Sequence, residues 1–201
     1  VHWCSHCGTA LAEAEIEYAD DPCYSVYVKF EVTDDKGKLF SMGAVPGKTY
    51  VVIWTTTTWT LPANVAICLG PNFDYALLKA NREGETEYYV VAKELAANVM
   101  QEAGIEEYEI IGTVKGSELE YVECAHPFLD RKSILILGDH VTLDSGTGCV
   151  HTAPGHGMDD FMVVTQHYPE IPFTVPVDSE GRMTEEAGFS AGLTTDEASK
   201  V

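Results

Sequence analysis

Positive charge and long apolar runs are scarce in this sequence of 201 residues. Lysine and arginine number 12 against 32 aspartates and glutamates, which gives a formal net charge of −20. Because nucleic-acid surfaces rely on clustered Lys and Arg, this composition excludes a large phosphate-binding surface. No apolar run approaches the roughly twenty residues of a membrane span, and no signal segment opens the chain. We therefore expect a soluble, cytoplasmic protein with no membrane partner.

An initiator methionine is also missing. The sequence begins at Val1 and stops at Val201 within an amphipathic pattern. We interpret it as a monomeric module of a longer protein. Its length and its apolar content of 45% allow one good hydrophobic core without disulfides.

Cysteine is sparse, and its pattern excludes a secreted disulfide framework. Four of the six lie in apolar or turn contexts, which suits reduced thiols. Cys4 and Cys7 form a CxxC pair that could supply half of a tetrahedral zinc site, but no second CxxC follows. Such a half-site needs ligands from outside the chain, so we expect no bound metal here. The six cysteines are Cys4, Cys7, Cys23, Cys68, Cys124 and Cys149.

Strand patterns dominate the sequence. Residues Tyr24 to Glu31 alternate between apolar and polar, which predicts a strand with one solvated face. The turn-forming run 34–38 predicts a hairpin that returns through Leu39 and Phe40. These patterns indicate a mainly β protein. Further strands are predicted at Tyr50–Thr56, Ala66–Leu69, Tyr75–Lys79, Tyr88–Val91, Tyr108–Val114, Ser133–Leu137 and Cys149–His151.

Two helices are predicted. The first spans Ala92 to Ala103 and ends at Gly104, and the second runs from near Gly157 to about Tyr168, before a proline. In the second helix, Phe161, Val164 and Tyr168 recur at helical spacing, which predicts its buried side. Its first turn contains Asp159 and Asp160, where the helix dipole favours anions.

A threonine-rich segment, Trp54 to Asn64, reads WTTTTWTLPAN and follows a strongly β run. It presents several hydroxyls where a strand leaves the sheet. Threonine is also simply a good strand residue, so the segment alone does not establish a site.

A loop rich in His, Asp, Gly and Pro lies between Gly146 and Asp160, with the sequence GTGCVHTAPGHGMDD. One interpretation is a metal site that uses four side chains of this loop. A second is acid–base catalysis by a His/Asp pair, and a third is a buried histidine with a helix-capping carboxylate. The residues alone leave all three open. The four candidate ligands are His151, His156, Asp159 and Asp160.

Together, WTTTTWTLPAN and GTGCVHTAPGHGMDDF resemble the inserted editing domain, connective polypeptide 1 (CP1), of bacterial-type isoleucyl-tRNA synthetases, which are class I enzymes. The valyl and leucyl relatives typically carry Arg-Pro after the threonines and lack HTAPGHG. The resemblance extends from WCSHCGTALAEAEIEY through HPFLDR to the tail AGLTTDEASKV, so it covers nearly the whole chain. It implies a β-barrel-like α+β domain of the ValRS/IleRS/LeuRS editing type, with a few peripheral helices.

The resemblance also implies an activity, which is hydrolysis of valine wrongly attached to tRNA(Ile), with a contribution to clearing valyl-adenylate. A hydrophobic pocket gains only about 1–3 kcal/mol from one methylene, so a second, size-selective site is needed for accuracy. The implied partners are the 3′ CCA end of tRNA(Ile), valyl-adenylate and the rest of the parent synthetase. That parent uses ATP and Mg²⁺, whereas this domain is expected to need no cofactor.

Matched residue by residue, the resemblance implies that Thr55, Thr56 and Thr57 line the pocket for the terminal adenosine and the aminoacyl group. Asp160 would bind the substrate ammonium, and His151 would restrict side-chain size and help to position a water. The implied catalytic residues are thus His151, Asp160, Thr55 and Thr56. The implied substrate-binding residues are Trp54, Thr57, Asn64, His151, Gly155, His156 and Asp160.

One position departs from the family pattern. The family usually reads TTTPWT, whereas this chain has Thr58 where the proline stands, so the strand exit is expected to be less constrained. We expect His156, Asp159 and Trp59 to shape the loop more than to touch substrate.

The predicted organisation is a connector at 1–22, an editing core at 23–180 and a second connector at 181–201. Two other functions compete with ester hydrolysis by a positioned water. One is a non-catalytic module that binds aminoacyl-adenosine or the tRNA end, and the other is a zinc hydrolase that uses the His/Asp loop.

Overall fold

The computed structural model of the protein describes residues 2–20 and 23–200. Its main feature is β structure, which accounts for 34% of these described residues. The strands are β1 Trp3–Cys4, β2 Thr9–Ala10, β3 Val26–Asp34, β4 Thr49–Thr55, β5 Ala66–Leu69, β6 Asp74–Arg82, β7 Glu85–Ala92, β8 Tyr108–Lys115, β9 Glu123–Ala125, β10 Lys132–Leu137 and β11 Cys149–Thr152.

Nine of these strands form a single sheet in the order β11-β5-β10-β9-β3-β4-β7-β6-β8, and β1 and β2 form a separate hairpin. The β5–β10 and β4–β7 pairs are parallel. The sheet curls so that its edge strand β11 lies against β4. Just before β11, the Thr147 carbonyl accepts a hydrogen bond of 2.8 Å from the Ala92 backbone at the end of β7. The mainly β, barrel-like fold predicted from the sequence is confirmed.

Short helices pack on the outside of this sheet. The α-helices are α1 Ala96–Glu102, α2 Met158–His167 and α3 Thr195–Ala198. Turns of 3₁₀-helix lie at Glu13–Glu15, Phe40–Met42, Thr58–Ala63, Lys93–Leu95, Gly116–Glu118 and Glu185–Ser190. Within the described residues, no helix is long and apolar enough to cross a membrane.

Among the described residues, the core has one main cluster and three smaller ones, the smallest of which consists of Met183, Ala187 and Ala198. Inward-facing residues of the curled sheet, such as Phe30, Ile53 and Leu77, are fully buried in the main cluster. Val99 and Met100 of α1 cover one face of the sheet. On the other side, α2 packs with residues of β5 and β10 in a third cluster. The packing of α2 with β5 and β10 fixes the position of the first turn of this helix.

The return strand predicted at Leu39 and Phe40 is wrong. The buried carboxylate of Asp35 accepts hydrogen bonds from the backbone nitrogens of Gly37, Leu39 and Phe40, at 2.6–2.9 Å. These bonds close the chain into a tight turn followed by the 3₁₀-helix Phe40–Met42. Strand β3 instead pairs with β4 on one side and with β9 on the other.

Both predicted helices are present with small corrections. Ala92 belongs to β7, and a 3₁₀ turn leads into α1. In α2 the buried residues are Val163 and Val164, and Tyr168, which caps the end of the helix, is also buried. The prediction that Phe161 is buried is wrong, because its side chain is 41% exposed and contacts Phe173 edge-on at the rim of the helix.

The three-part domain division stays a prediction. Its first boundary falls beside residues 21 and 22, which lie outside the described residues, as do Val1 and Val201. Near the second boundary, the Trp3 indole donates to the Ser179 carbonyl at 2.8 Å, so the N-terminal hairpin contacts this region.

Candidate active site

The two long motifs of the sequence meet at the end of β4. Gly146 has a φ of +77°, which favours glycine, and a Cβ there would lie 3.3 Å from the Trp54 ring. The loop before β11 therefore lies flat against Trp54. Beside this contact is a cavity of about 260 Å³, lined by Trp54, His140, Thr142, Ser145, Gly146, Thr147, Gly148, Cys149 and Val150.

The threonines form a hydrogen-bonded turn where β4 leaves the sheet. Thr57 donates its backbone N–H to Thr55 Oγ1 at 3.0 Å. The Thr60 hydroxyl donates to the Thr57 carbonyl at 2.8 Å and so begins the 3₁₀-helix Thr58–Ala63. Thr56 and Thr57 are exposed. Side-chain hydroxyls thus shape this turn and remain accessible at its tip.

The residue at the family's proline position has a contact of its own. Thr58 donates its hydroxyl to the Ser199 carbonyl at 3.0 Å. Ser199 follows α3, so this bond ties the threonine turn to the C-terminal segment. Thr56 and Thr58 both line a cavity of about 290 Å³ on that side.

His151 projects from β11, where it pairs with Ile67 of β5. Its Nδ1 lies 2.8 Å from Asn64 Nδ2, and its Nε2 lies 3.1 Å from Thr60 Oγ1. Burial is the main cause that lowers the pKa of His151 to about 4, and the neighbouring His126 and His156 lower it further. At neutral pH the ring is therefore uncharged.

Asp160 lies in the first turn of α2, three residues after the N-cap Gly157. Its Oδ2 accepts a hydrogen bond of 2.8 Å from the Ala153 backbone, which holds the loop against the helix. A Cβ at Gly157 would lie 2.7 Å from this oxygen, so any other residue there would displace the Asp160 carboxylate. Burial raises the pKa of Asp160, while the Ala153 N–H and His140 act in the opposite direction.

The rest of the loop is supported by packing. His156 is half-buried and meets the Trp59 ring edge-on, with 5.1 Å between the ring centroids. Burial lowers the pKa of His156. Gly155 packs against Val175, whose Cγ2 would lie 2.7 Å from a Cβ at that position. Trp59 and His156 thus join the threonine turn to the loop from the side.

The structure brings together most of the predicted site residues, though not all of them in one place. His151, Asn64 and the threonine turn share one hydrogen-bond chain, and Trp54 lies against the same loop. Thr56 lines the cavity near Ser199. Asp159 is exposed and lines a third cavity of about 600 Å³ with His140.

Three residues near the site were not singled out from the sequence. Thr60 bonds to His151, and His140 stands between the Trp54 cavity and the Asp159 cavity. His126 is buried and its Nε2 lies 2.9 Å from the Leu61 carbonyl in the 3₁₀-helix. Thr60 lies inside the threonine motif and His126 inside HPFLDR, so both were visible as motif members without a role.

A metal site requires several side chains with ligand atoms close together. Across residues 2–20 and 23–200, no three His, Cys, Asp or Glu side chains are grouped so that they could hold an ion. The Cys7 backbone lies 3.4 Å from Cys4 Sγ, and this N–H lowers the pKa of the Cys4 thiol. The hydrogen bond between the two side chains raises the pKa of Cys7, so the CxxC turn has two sulfur atoms, half of the ligands that zinc takes, but only one thiol with a lowered pKa.

Comparison with known proteins identifies relatives over the whole chain, although no protein-family model matches it. Isoleucine--tRNA ligase of Caldicellulosiruptor saccharolyticus is 54% identical over 200 residues, and that of Thermoanaerobacter sp. strain X514 is 51% identical over 201 residues. Both matches cover 100% of this chain and 21% of the relative. The chain thus spans about a fifth of the length of these ligases.

Solved structures show the same fold at low sequence identity. The crystal structure of GlLeuRS-CP1 matches with a TM-score of 0.59 and 18% identity, over 73% of this chain and 62% of that one. The P. knowlesi cytosolic leucyl-tRNA synthetase editing domain matches with a TM-score of 0.60 and 13% identity, over 75% and 66% of the two chains. The sequence matches and the fold agree: the chain belongs to the isoleucine--tRNA ligase family and has the fold of a CP1 editing domain.

Proposed function

We propose that this chain hydrolyses valine from mischarged Val-tRNA(Ile) and contributes to clearing valyl-adenylate. The observation that carries the proposal is the junction of the threonine turn with the His151–Asp160 loop. Hydroxyl groups, a hydrogen-bonded neutral imidazole and a half-buried carboxylate lie on the two segments that meet at this junction. Such a set suits binding of an aminoacyl ester and attack by water.

The Asp160 carboxylate is the proposed anchor for the substrate's ammonium group. Oδ2 accepts a hydrogen bond from the Ala153 backbone, and no residue in the described part of the chain hydrogen-bonds to Oδ1. Partial burial raises the free energy of an unpaired carboxylate, so binding of a cation beside it is favourable. The same burial raises the pKa of Asp160.

In the proposed reaction, a water oxygen attacks the ester carbonyl carbon and the bond to the ribose oxygen breaks. The leaving ribose oxygen takes up a proton, with help from the neighbouring ribose hydroxyl. The tetrahedral oxyanion needs hydrogen-bond donors. Because the Thr57 N–H is engaged by Thr55, the hydroxyls of Thr55 and Thr56 are the proposed donors.

Side-chain size would be read by the imidazole of His151. Asn64 and Thr60 hold both ring nitrogens, so the ring cannot turn aside to admit a larger group without losing hydrogen bonds. Each methylene is worth only about 1–3 kcal/mol by favourable contact, but a rigid wall discriminates by exclusion. Valine would fit where isoleucine would not.

The partners follow from this reaction and remain proposals. Only the 3′ CCA end of tRNA(Ile) would reach the site, while other parts of a parent synthetase hold the tRNA body, because a chain of net charge −20 offers little to phosphates. We expect the reaction to proceed in the cytoplasm and without a metal. The isolated chain should bind whole tRNA weakly.

Single-turnover deacylation of Val-tRNA(Ile) tests the proposal. The wild-type chain should cleave faster than the uncatalysed background, with or without chelator, and Asp160→Ala should fall to near background. Equal rates for the two proteins would contradict the proposal. If a hydrolysis-resistant valyl-adenosine analogue binds but the ester is never cleaved, the chain is a binding module instead. If chelator abolishes cleavage, the metal-free mechanism is wrong.

A further inference from the structure

We propose that Thr60 and Asn64 are positioning residues that lock His151 as a neutral imidazole with its hydrogen on Nε2. In this state the ring is a fixed wall and does not act as a general base. The catalytic consequence rests on the proposed hydrolysis, but the protonation state itself can be observed in the free protein.

The first half of the argument concerns the amide of Asn64, which is fully buried. Its Nδ2 lies 2.9 Å from the Ala66 carbonyl oxygen and 2.8 Å from His151 Nδ1. The two amide hydrogens thus have two acceptors. A flipped amide would place Oδ1 against the Ala66 carbonyl, where two acceptors repel. The amide orientation is therefore fixed, and His151 Nδ1 must accept.

The second half concerns the opposite side of the ring. A neutral imidazole whose Nδ1 accepts carries its hydrogen on Nε2. Thr60 Oγ1 lies 3.1 Å from Nε2, and its single hydrogen is directed to the Thr57 carbonyl at 2.8 Å. The Thr60 oxygen is then free to accept from Nε2. The hydrogen bonds at the two ring nitrogens therefore agree on one state of His151, in which Nδ1 accepts and Nε2 donates.

The series of hydrogen bonds through Asn64, His151 and Thr60 connects the strands that carry the site. It runs from the Ala66 carbonyl of β5 through Asn64, His151 and Thr60 to the Thr57 carbonyl in the threonine turn. All donors and acceptors of this series lie on backbone or on side chains that are at most partly exposed. The position of the His151 ring is therefore coupled to that of the threonine turn. Thr60 is 7% exposed.

General-base catalysis by His151 conflicts with this arrangement. To accept a proton from water, Nδ1 would have to release the Asn64 amide. Burial opposes a positive charge on the ring, and the neighbouring His126 and His156 also lower the pKa of His151. In the proposed hydrolysis, the proton of the attacking water therefore passes to the leaving ribose oxygen or to solvent, without residence on His151.

Nitrogen-15 spectroscopy of the histidine rings tests the assignment directly. Long-range proton–nitrogen correlations of the labelled 201-residue chain should show an unprotonated Nδ1 and a protonated Nε2 for His151 between about pH 5 and 8. The His151→Gln variant identifies the resonances. Hydrogen on Nδ1, a mixture of both forms, or an imidazolium near pH 6 would overturn the proposal.

Two variants test the positioning residues. Asn64→Asp replaces the donor to Nδ1 by an acceptor, so His151 should move its hydrogen to Nδ1. Thr60→Val removes the acceptor at Nε2; we expect a mixed ring state and roughly fivefold slower deacylation, which is about one hydrogen bond. Thr60→Ser should restore both readouts.

Thr49→Val is the matched control, because Thr49 is fully buried and also donates to a carbonyl, that of Val45, far from the site. It should leave the ring state and the relative deacylation rate unchanged. An unaltered ring in both Asn64→Asp and Thr60→Val would overturn the proposal. If the predicted ring state is observed but no ester is cleaved, the hydrolytic function fails and the locking of His151 stands.

Discussion

His126 makes the stability of this domain depend on pH in a way that can be isolated. Its Nδ1 accepts from the backbone nitrogens of Phe128 and Leu129, at 3.4 and 3.2 Å, and its Nε2 donates to the Leu61 carbonyl at 2.9 Å. Protonation would place a hydrogen on Nδ1, which faces two N–H donors. Burial, the main cause, accordingly lowers the pKa of His126 to about 4 from an ordinary 6.5.

The direction of the effect follows from proton binding. Below pH 6.5 the unfolded chain takes up a proton at this histidine before the folded chain does, so the free energy of unfolding decreases as the pH falls. The loss stops once the pH is below the folded-state pKa. Its full size is about 3 kcal/mol, and most of it is lost between pH 7.5 and 4.5.

The assay compares urea unfolding of wild type and His126→Gln at both pH values. Carboxylates titrate in both proteins and cancel in the difference, which therefore reports His126 together with its effect on the pKa of His151. Wild type should lose about 2–3 kcal/mol more than the variant on acidification. Thr49→Val has no titrating group at the replaced position and should show a constant difference from wild type. A constant difference for His126→Gln as well would refute the reasoning.

Two further predictions concern the loop. Asp160→Asn keeps an acceptor for the Ala153 N–H, so its free energy of unfolding should stay within about 1 kcal/mol of wild type. Its single-turnover deacylation rate should fall about 10- to 100-fold, because the charge-assisted bond to the substrate is lost. Equal losses of activity in Asp160→Asn and in a distant variant of similar stability would count against the anchor role. Gly146→Ala strains a left-handed position and presses a Cβ on Trp54, so thermal melting should show a loss of more than about 1 kcal/mol together with reduced activity. Gly192→Ala has a similar φ of +83° with open space around it and should lose stability without losing activity.

Much of the fold could be predicted because the strands follow local patterns. The alternation before Glu31 and the apolar run before Trp54 correctly placed β3 and β4, and GTGCVHT correctly placed β11. The exceptions arise where a side chain competes with the pattern. Asp35 captures three backbone nitrogens and bends the segment that was predicted to return as a strand.

The site residues could be proposed from the motifs, but their contacts could not. His151 meets Asn64 and Thr60 across separations of 87 and 91 residues. Only the pairing of β11 with β5 fixes these contacts, and no sequence pattern specifies that neighbours in the sheet should be β5 and β11. Phe161 shows the same limit, since helical spacing gave a stripe of three residues and the packing of α2 chose its buried members.

Selectivity between two substrates is the most direct test of a size-selective editing site. The wild-type chain should deacylate Val-tRNA(Ile) at a rate well above background in single-turnover conditions, and should leave Ile-tRNA(Ile) at its uncatalysed rate. His151→Ala should narrow this difference by allowing isoleucine to be cleaved. Equal cleavage of both esters by the wild-type chain, or cleavage of neither, would contradict the account.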